Sequence, residues 1–113
     1  VVTEYIPDAG HIVWLTLDPQ AGNEQAGRRP FLVLTPKAYN EKTSLVVGCP
    51  IRSRLKGYPF EVPLRRTGAV SGVILSDQIK SIDWRERKAA FVEKAATGDM
   101  RAAKRLIGAL LDL

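Results

Sequence analysis

Apolar residues in this chain come in short runs rich in branched and aromatic side chains, each ended within a few residues by proline, glycine or a polar turn. Only the last fifteen residues depart from this. HIVWLTL (11–17), FLVLT (31–35), SLVVGCPI (44–51), GVILS (72–76) and QIKSIDW (78–84) read as strands, and AAFVEK (89–94) as a further short one. PFEVPL (59–64) alternates apolar and polar, and its two prolines favour an edge or irregular strand. Residues 37–43, containing Asn40, read as a turn, and 18–29 and 52–58 as polar or basic loops. The period then changes. Met100, Ala103, Leu106, Ile107, Leu110 and Leu111 recur at helical spacing behind Asp99, which is expected to cap the helix after a turn at Gly98. Arg101, Lys104 and Arg105 fall away from that stripe, so it is expected to pack on a sheet or a dimer seam.

Five or six short strands and one terminal helix predict a mainly β fold: a small, strongly curved antiparallel sheet or partly open barrel with a C-terminal helix. The 113 residues are read as one domain, 1–113, without repeats or low-complexity tracts. At this size roughly 60–70% of the unfolded chain's surface is buried, enough for one core without staples. Such a fold class is silent on function.

Charge is more informative. Residues 1–27 hold four acids and no Lys or Arg, a net of −4, whereas residues 28–66 hold nine bases and two acids, a net of +7. The remainder is close to balanced, and the whole chain is +5. A polyanion, either nucleic acid or an acidic protein segment, complements the basic middle; a merely solvated basic face is the alternative. No apolar run approaches the ~20 residues that span a bilayer. The segment VVTEYIPDAG lacks the basic-then-apolar order of a secretory leader. With a single cysteine, Cys49, the chain is expected to be cytoplasmic, and Cys49 to be a core residue.

Several chemistries are disfavoured. One His, one Cys and singly scattered acids offer no metal-ligand spacing, so neither metal nor cofactor is expected. The stretch AGNEQAGRRP lacks the Lys-Ser/Thr ending of a phosphate loop. His11, at a strand end, is a poor member of a nucleophilic triad and is read as partly exposed and structural. What remains is guanidinium chemistry. Arg29 closes a long loop, and Pro30 behind it holds its backbone extended. Arg28, Arg52, Arg54 and Lys56 add positive charge. Arginine presents five donors in a planar fork suited to phosphate. RNA supplies its own nucleophile, the 2′-hydroxyl, so the site must align that attack and stabilise the five-coordinate phosphorane, a task arginine donors suit.

YIPDAGHIVWLTLDPQAGNEQAGRRP (5–30), KGYPFEV (56–62) and SDQIKSIDWRER (76–87) together resemble the MazF/PemK family of endoribonuclease toxins, in the family's order and spacing. The likeness is weakest over 88–113. The resemblance implies an SH3-like, CcdB/PemK-type barrel with a C-terminal helix and a homodimer. It implies sequence-specific, metal-independent cleavage of single-stranded mRNA, leaving 2′,3′-cyclic phosphate and 5′-hydroxyl ends. It also implies a cognate antitoxin whose acidic, disordered segment occupies the RNA groove. By the same resemblance Arg29 matches the family's catalytic arginine in Q-A-G-x-R-P. Glu24 and Gln25 match polar loop residues beside it, and Asp18 an acid just after the first strand. Lys56 and Gln78 match positions lining the RNA groove; Arg28 and Arg54 are given binding roles. For Asp18 and Glu24, hydrogen bonds that fix the loop to Arg28 or Arg29 are the competing role.

One position departs from the family, which usually carries Thr or Ser where this chain has Arg52 in Pro50-Ile51-Arg52-Ser53. Three explanations compete. Ser53 takes over the hydroxyl's work, although adjacent strand residues point to opposite faces unless a bulge re-aims one. Arg52 itself stabilises the phosphorane. Or Arg52 attenuates the toxin by crowding the scissile phosphate. Because arginine stays protonated in proteins, Arg29 is assigned transition-state stabilisation, and Glu24 is the nearest candidate base by sequence. The rival readings are an RNA- or antitoxin-binding module disabled at Arg52, and a topoisomerase poison of the CcdB kind, against which stands the Leu-Leu-Asp-Leu end without an aromatic tail. Trp14 and Trp84 are both candidates for base stacking, with core packing favoured for Trp14.

Overall fold

The computed structural model describes residues 4–16, 27–65 and 68–113. Seven strands carry the fold: β1 (His11–Thr16), β2 (Arg28–Val33), β3 (Leu45–Arg52), β4 (Glu61–Pro63), β5 (Val73–Leu75), β6 (Lys80–Asp83) and β7 (Ala90–Lys94). Helix α1 (Lys37–Thr43) joins β2 to β3, and α2 (Thr97–Leu111) follows β7. A 3-10 turn, Ser76–Gln78, separates β5 from β6. All pairings are antiparallel in the unclosed order β4-β5-β3-β2-β1-β7, with β6 added on β3. The expected mainly β architecture with a C-terminal helix is therefore present.

β3 organises the sheet. One edge pairs with β2 through Phe31↔Pro50, Leu32↔Cys49 and Val33↔Gly48. The other edge is shared: Leu45–Gly48 pairs with β6, and Ile51 and Arg52 pair with β5. The sheet is buried on both faces at its centre, which is why its strands read as near-continuous apolar runs. Ile12, Leu32, Cys49 and Ile51 meet Ala103 and Ile107 of α2 on one face. Val13, Leu15, Phe31, Val33 and Val46 gather around Trp84 on the other. Each such aliphatic side chain contributes about 1.5–3 kcal/mol when fully buried. Cys49, fully buried in the first cluster, behaves as the core residue the sequence suggested; burial pushes its thiol up to about 11. β4 lies at one end of the sheet, as the prolines of PFEVPL indicated.

Three expectations need correction. Residues 37–43 form a helix, not a turn. Pro36 occupies its N-cap, and Ser44 closes it at φ 64°. The helix is held from inside by Asn40, which is fully buried. The Asn40 amide donates to the carbonyls of Pro7 (2.8 Å) and Thr35 (2.9 Å), its oxygen accepts from Thr35 Oγ1 (2.7 Å), and its backbone carbonyl accepts from Trp84 Nε1 (2.8 Å). Second, Trp84 is only 2% exposed, so it is a core residue and not a stacking platform. Third, α2 starts at Thr97 with Ala96 at the N-cap. Asp99 lies inside the first turn, fully buried, and accepts the Arg65 backbone N–H at 3.0 Å.

Candidate functional site

Arg28 and Arg29 open β2, where Thr16↔Arg28 and Leu15↔Arg29 register them against the end of β1. Arg52 closes β3. The β2–β3 ladder runs antiparallel through Phe31↔Pro50, so continuing it two residues brings Arg29 across from Arg52. The two arginine-bearing ends thus meet at one edge of the molecule, although 23 positions separate them in sequence. Between them opens a cleft of about 780 Å³. Its lining includes Arg28, Arg29, Arg52 and Ser53, and also Lys80 of β6 and Arg87 of the turn before β7. Five cations and no carboxylate contribute to that lining among the described residues. Half-buried Trp14 reaches it as well, while packing against the first core cluster. Trp14 therefore serves both the core and the cleft. Ala69, Val70 and Ser71, from the β4–β5 connection, form a further wall.

The cleft is open and strongly positive, a setting that concentrates polyanions. Arg29 is exposed; its Nη1 lies 3.4 Å from the Arg28 carbonyl, and no carboxylate among the described residues pairs with it. Its donors therefore face the cleft and solvent, as phosphate recognition requires.

Arg52 is placed differently. Its guanidinium is ion-paired with Glu61 of β4, donates from Nε to the Arg54 carbonyl at 3.0 Å, and lies 5.8 Å from the Tyr58 ring centre. Glu61 is the hub. Its side chain is 2% exposed, and it also accepts the backbone N–H groups of Lys56 (3.1 Å), Gly57 (2.8 Å) and Tyr58 (3.2 Å). Successive N–H groups turned toward one carboxylate make an anion-binding concavity, so KGYPFEV supplies both the concavity and the anion that fills it.

Of the other sequence candidates, Ser53 lines the cleft. Arg54 and Lys56 are exposed on the 52–58 loop, and Gln78 is exposed at the end of the 3-10 turn; none of the three is in the cleft lining. Asp18, Glu24 and Gln25 lie outside the described residues. Sequence reasoning missed Lys80, Arg87 and Glu61. Lys80 was legible in principle, because alternation along Lys80-Ser81-Ile82-Asp83 puts Lys80 and Ile82 on one face, and Ile82 shares the cleft lining. Glu61 was hidden, since an acid in an alternating strand reads as solvent-facing.

His11 is half-buried, stacked on Tyr5 and edge-on to Phe91 at 4.9 Å. Its Nδ1 accepts from Tyr5 Oη (2.7 Å) and from the Asp8 backbone N–H (3.2 Å). Burial lowers its pKa from the ordinary value, which nearby Asp8 opposes. This is the structural histidine expected from its position. Among the described residues no three His, Cys, Asp or Glu side chains gather into a metal-holding group.

An antiparallel sheet that brings arginines to the ends of two adjacent strands, over an open basic cleft, suits the binding of a polyanion. Comparison with known proteins makes this specific. Residues 8–111 match the family model for PemK-like, MazF-like toxins of type II toxin-antitoxin systems. The endoribonuclease toxin MazF of Escherichia coli K12 is 42% identical over 111 residues, covering 98% of this chain and 99% of that one. The endoribonuclease PemK of Escherichia coli is 39% identical over 93 residues, covering 77% and 68%. Among solved structures, a MazE-MazF crystal structure from Deinococcus radiodurans superposes with a TM-score of 0.91 at 51% identity, covering 97% of this chain and 99% of that one. The chain belongs to the PemK/MazF toxin family.

Proposed function

We propose that this chain cuts single-stranded RNA in the cleft between the ends of β2 and β3, without a metal, and at a defined short sequence. As a MazF-type toxin of a toxin-antitoxin system it is an endoribonuclease with an antitoxin partner. The observation that supports the finer reading is the convergence of Arg28, Arg29 and Ser53 on a cleft whose described lining carries five cations and no acid.

In this reading the 2′-oxygen attacks the neighbouring phosphorus as its proton passes to a base, a role assigned to Glu24. The P–O5′ bond breaks, a proton delivered through water reaches the leaving 5′-oxygen, and a 2′,3′-cyclic phosphate remains. Arg29 stabilises the added negative charge of the phosphorane by directed hydrogen bonds. Arg28, Lys80 and Arg87 hold flanking phosphates, and Trp14 stacks a base. Lys56, Arg54 and Gln78 act further along the strand, and Asp18 and Gln25 are assigned RNA-binding roles. Because the Arg52 guanidinium is committed to Glu61 and the loop carbonyl of Arg54, Arg52 shapes the cleft wall and leaves the phosphate to Arg29 and Ser53. The chain works as a cytoplasmic homodimer; Leu110, Leu111 and Leu113, exposed at the end of α2, favour burial against a second copy. The antitoxin's acidic, disordered segment competes with RNA for the same positive cleft.

The test is cleavage of end-labelled single-stranded RNA in EDTA, beside Arg29→Ala and Arg52→Thr. Cleavage by the wild type and loss in Arg29→Ala supports the reading. Cleavage by Arg52→Thr alone makes the chain an attenuated toxin. Binding without cleavage by any of the three overturns the catalytic assignment.

A further inference from the structure

We propose that Glu93 is a positioning residue: its carboxylate, seated on Gly68, fixes the wall that the β4–β5 connection presents to RNA. The proposal rests on the reading that the cleft takes RNA.

The argument begins with register. β7 pairs with β1 through Ile12↔Glu93 and Val13↔Phe91, so Val92 is an extra residue without an opposite number. Regular alternation would put Glu93 on the same face as Phe91, which packs on Tyr5 and His11. The bulge re-aims it. Glu93 instead reaches the face where Val92 and Val70 pack in the first core cluster. There Oε1 accepts the Ala69 N–H at 3.3 Å and Oε2 accepts the Val70 N–H at 3.1 Å.

Gly68 makes this seat possible. A Cβ at Gly68 would stand 2.1 Å from Glu93 Oε1 and 2.6 Å from Cδ. The connection is held at two other points. Asp99 of α2 takes the Arg65 N–H. At the far end Gly72, at φ 130°, lies so close to β3 that a Cβ would be 2.2 Å from the Arg52 carbonyl oxygen. Among the described residues β7 and α2 contribute nothing to the cleft lining itself. These carboxylates tie both elements to the β4–β5 wall. Gly68 and Ala69 are exposed while Val70 is buried, so the Glu93 bonds decide how far Ala69–Ser71 leans into the cleft.

Gly68→Ala is the sharpest variant. It expels the carboxylate without deleting it, and the obstructing atoms are the free end of a flexible side chain, so the fold survives. The experiment measures kcat and KM on a single-stranded RNA oligonucleotide, together with backbone amide exchange, for the wild type, Gly68→Ala, Glu93→Ala and Glu93→Gln. Gly68→Ala and Glu93→Ala are expected to raise KM roughly tenfold with kcat within about twofold, because a misplaced wall weakens binding more than bond-breaking. Exchange should quicken at Ala69 and Val70 but not in β3. Glu93→Gln, whose remaining carbonyl oxygen still serves one N–H, should fall between. A folded Gly68→Ala with wild-type KM overturns the proposal, as does a loss confined to kcat. A wild type that leaves RNA uncut instead overturns the reading of the cleft.

Discussion

Replacing Glu61 by alanine removes the acceptor of three backbone N–H groups and of the Arg52 guanidinium at once. The magnitude follows from where those donors lie. Lys56, Gly57 and Tyr58 are exposed, so water refills their N–H groups and each bond is worth a net of about 1 kcal/mol. The Arg52 side chain is one-quarter exposed, which keeps its pair nearer a surface ion pair, about 1 kcal/mol. The total is about 3–4 kcal/mol. For a chain of this size that lowers Tm by roughly 13–17 °C. Glu61→Gln keeps one carbonyl oxygen but places an amide donor against other donors, and should recover less than half of the loss. Thermal unfolding at fixed protein concentration is the assay, since self-association would otherwise shift Tm. A double-mutant cycle with Arg52→Ala isolates the ion pair, with an expected coupling of about 1 kcal/mol. Glu61→Ala within about 0.5 kcal/mol of wild type would refute the view that this carboxylate organises the loop.

Arg29→Ala should lower kcat by roughly 10²–10³, the cost of losing an oxyanion donor, with Tm unchanged because the side chain is exposed; single-turnover cleavage reads this directly. Trp84→Phe deletes the bond to the Asn40 carbonyl and leaves a small void, costing about 1–3 kcal/mol in urea unfolding, while RNA affinity stays put. Acid should destabilise the fold in two stages. The His11 pKa is lowered in the folded chain, so the unfolded state binds the proton more readily and stability falls as pH drops below about 6.5. The Asp8 pKa is lowered by the N–H groups of Lys37 and Ala9, so its contribution is present above its ordinary value of 3.8 and is lost as pH falls through the folded value. His11→Gln should flatten the first stage of a Tm–pH profile, and an unaltered profile would remove His11 from the account.

The strands were legible because two apolar layers enclose the sheet centre, so β1, β2 and β3 announce themselves by composition and by the punctuation between them. Helix α1 was not legible. Its seven residues present no apolar stripe, and the side chain that anchors it, Asn40, is polar and satisfied by the Thr35 hydroxyl and carbonyl and by the carbonyl of Pro7, 33 residues away. Nothing local distinguishes such an asparagine from one in a turn. Asp99 misled for a related reason: an acid after a glycine turn resembles a cap, whereas here it serves Arg65, 34 residues away in sequence. At the site, Arg28, Arg29, Arg52 and Ser53 stood out in the sequence, but their meeting depends on register, and Lys80 and Arg87 reach the cleft from strands and turns whose partners no local pattern specifies.

The β2–β3 ladder also says which changes such a chain tolerates as it diversifies. Arg29 and Arg52 each lie two residues past the last β2–β3 pair, Phe31↔Pro50, and each is itself held in paired backbone, Arg29 against Leu15 of β1 and Arg52 against Val73 of β5. One inserted residue within either strand would turn an arginine to the opposite face and abolish the pairing. The same insertion in 53–60 would leave both backbone positions where they are. The spacing of the two arginines is thereby insulated from the length of that loop. On the proposed reading of the cleft, a changed 53–60 loop would alter what lies beside the RNA while Arg29 and Arg52 keep their places at the strand ends.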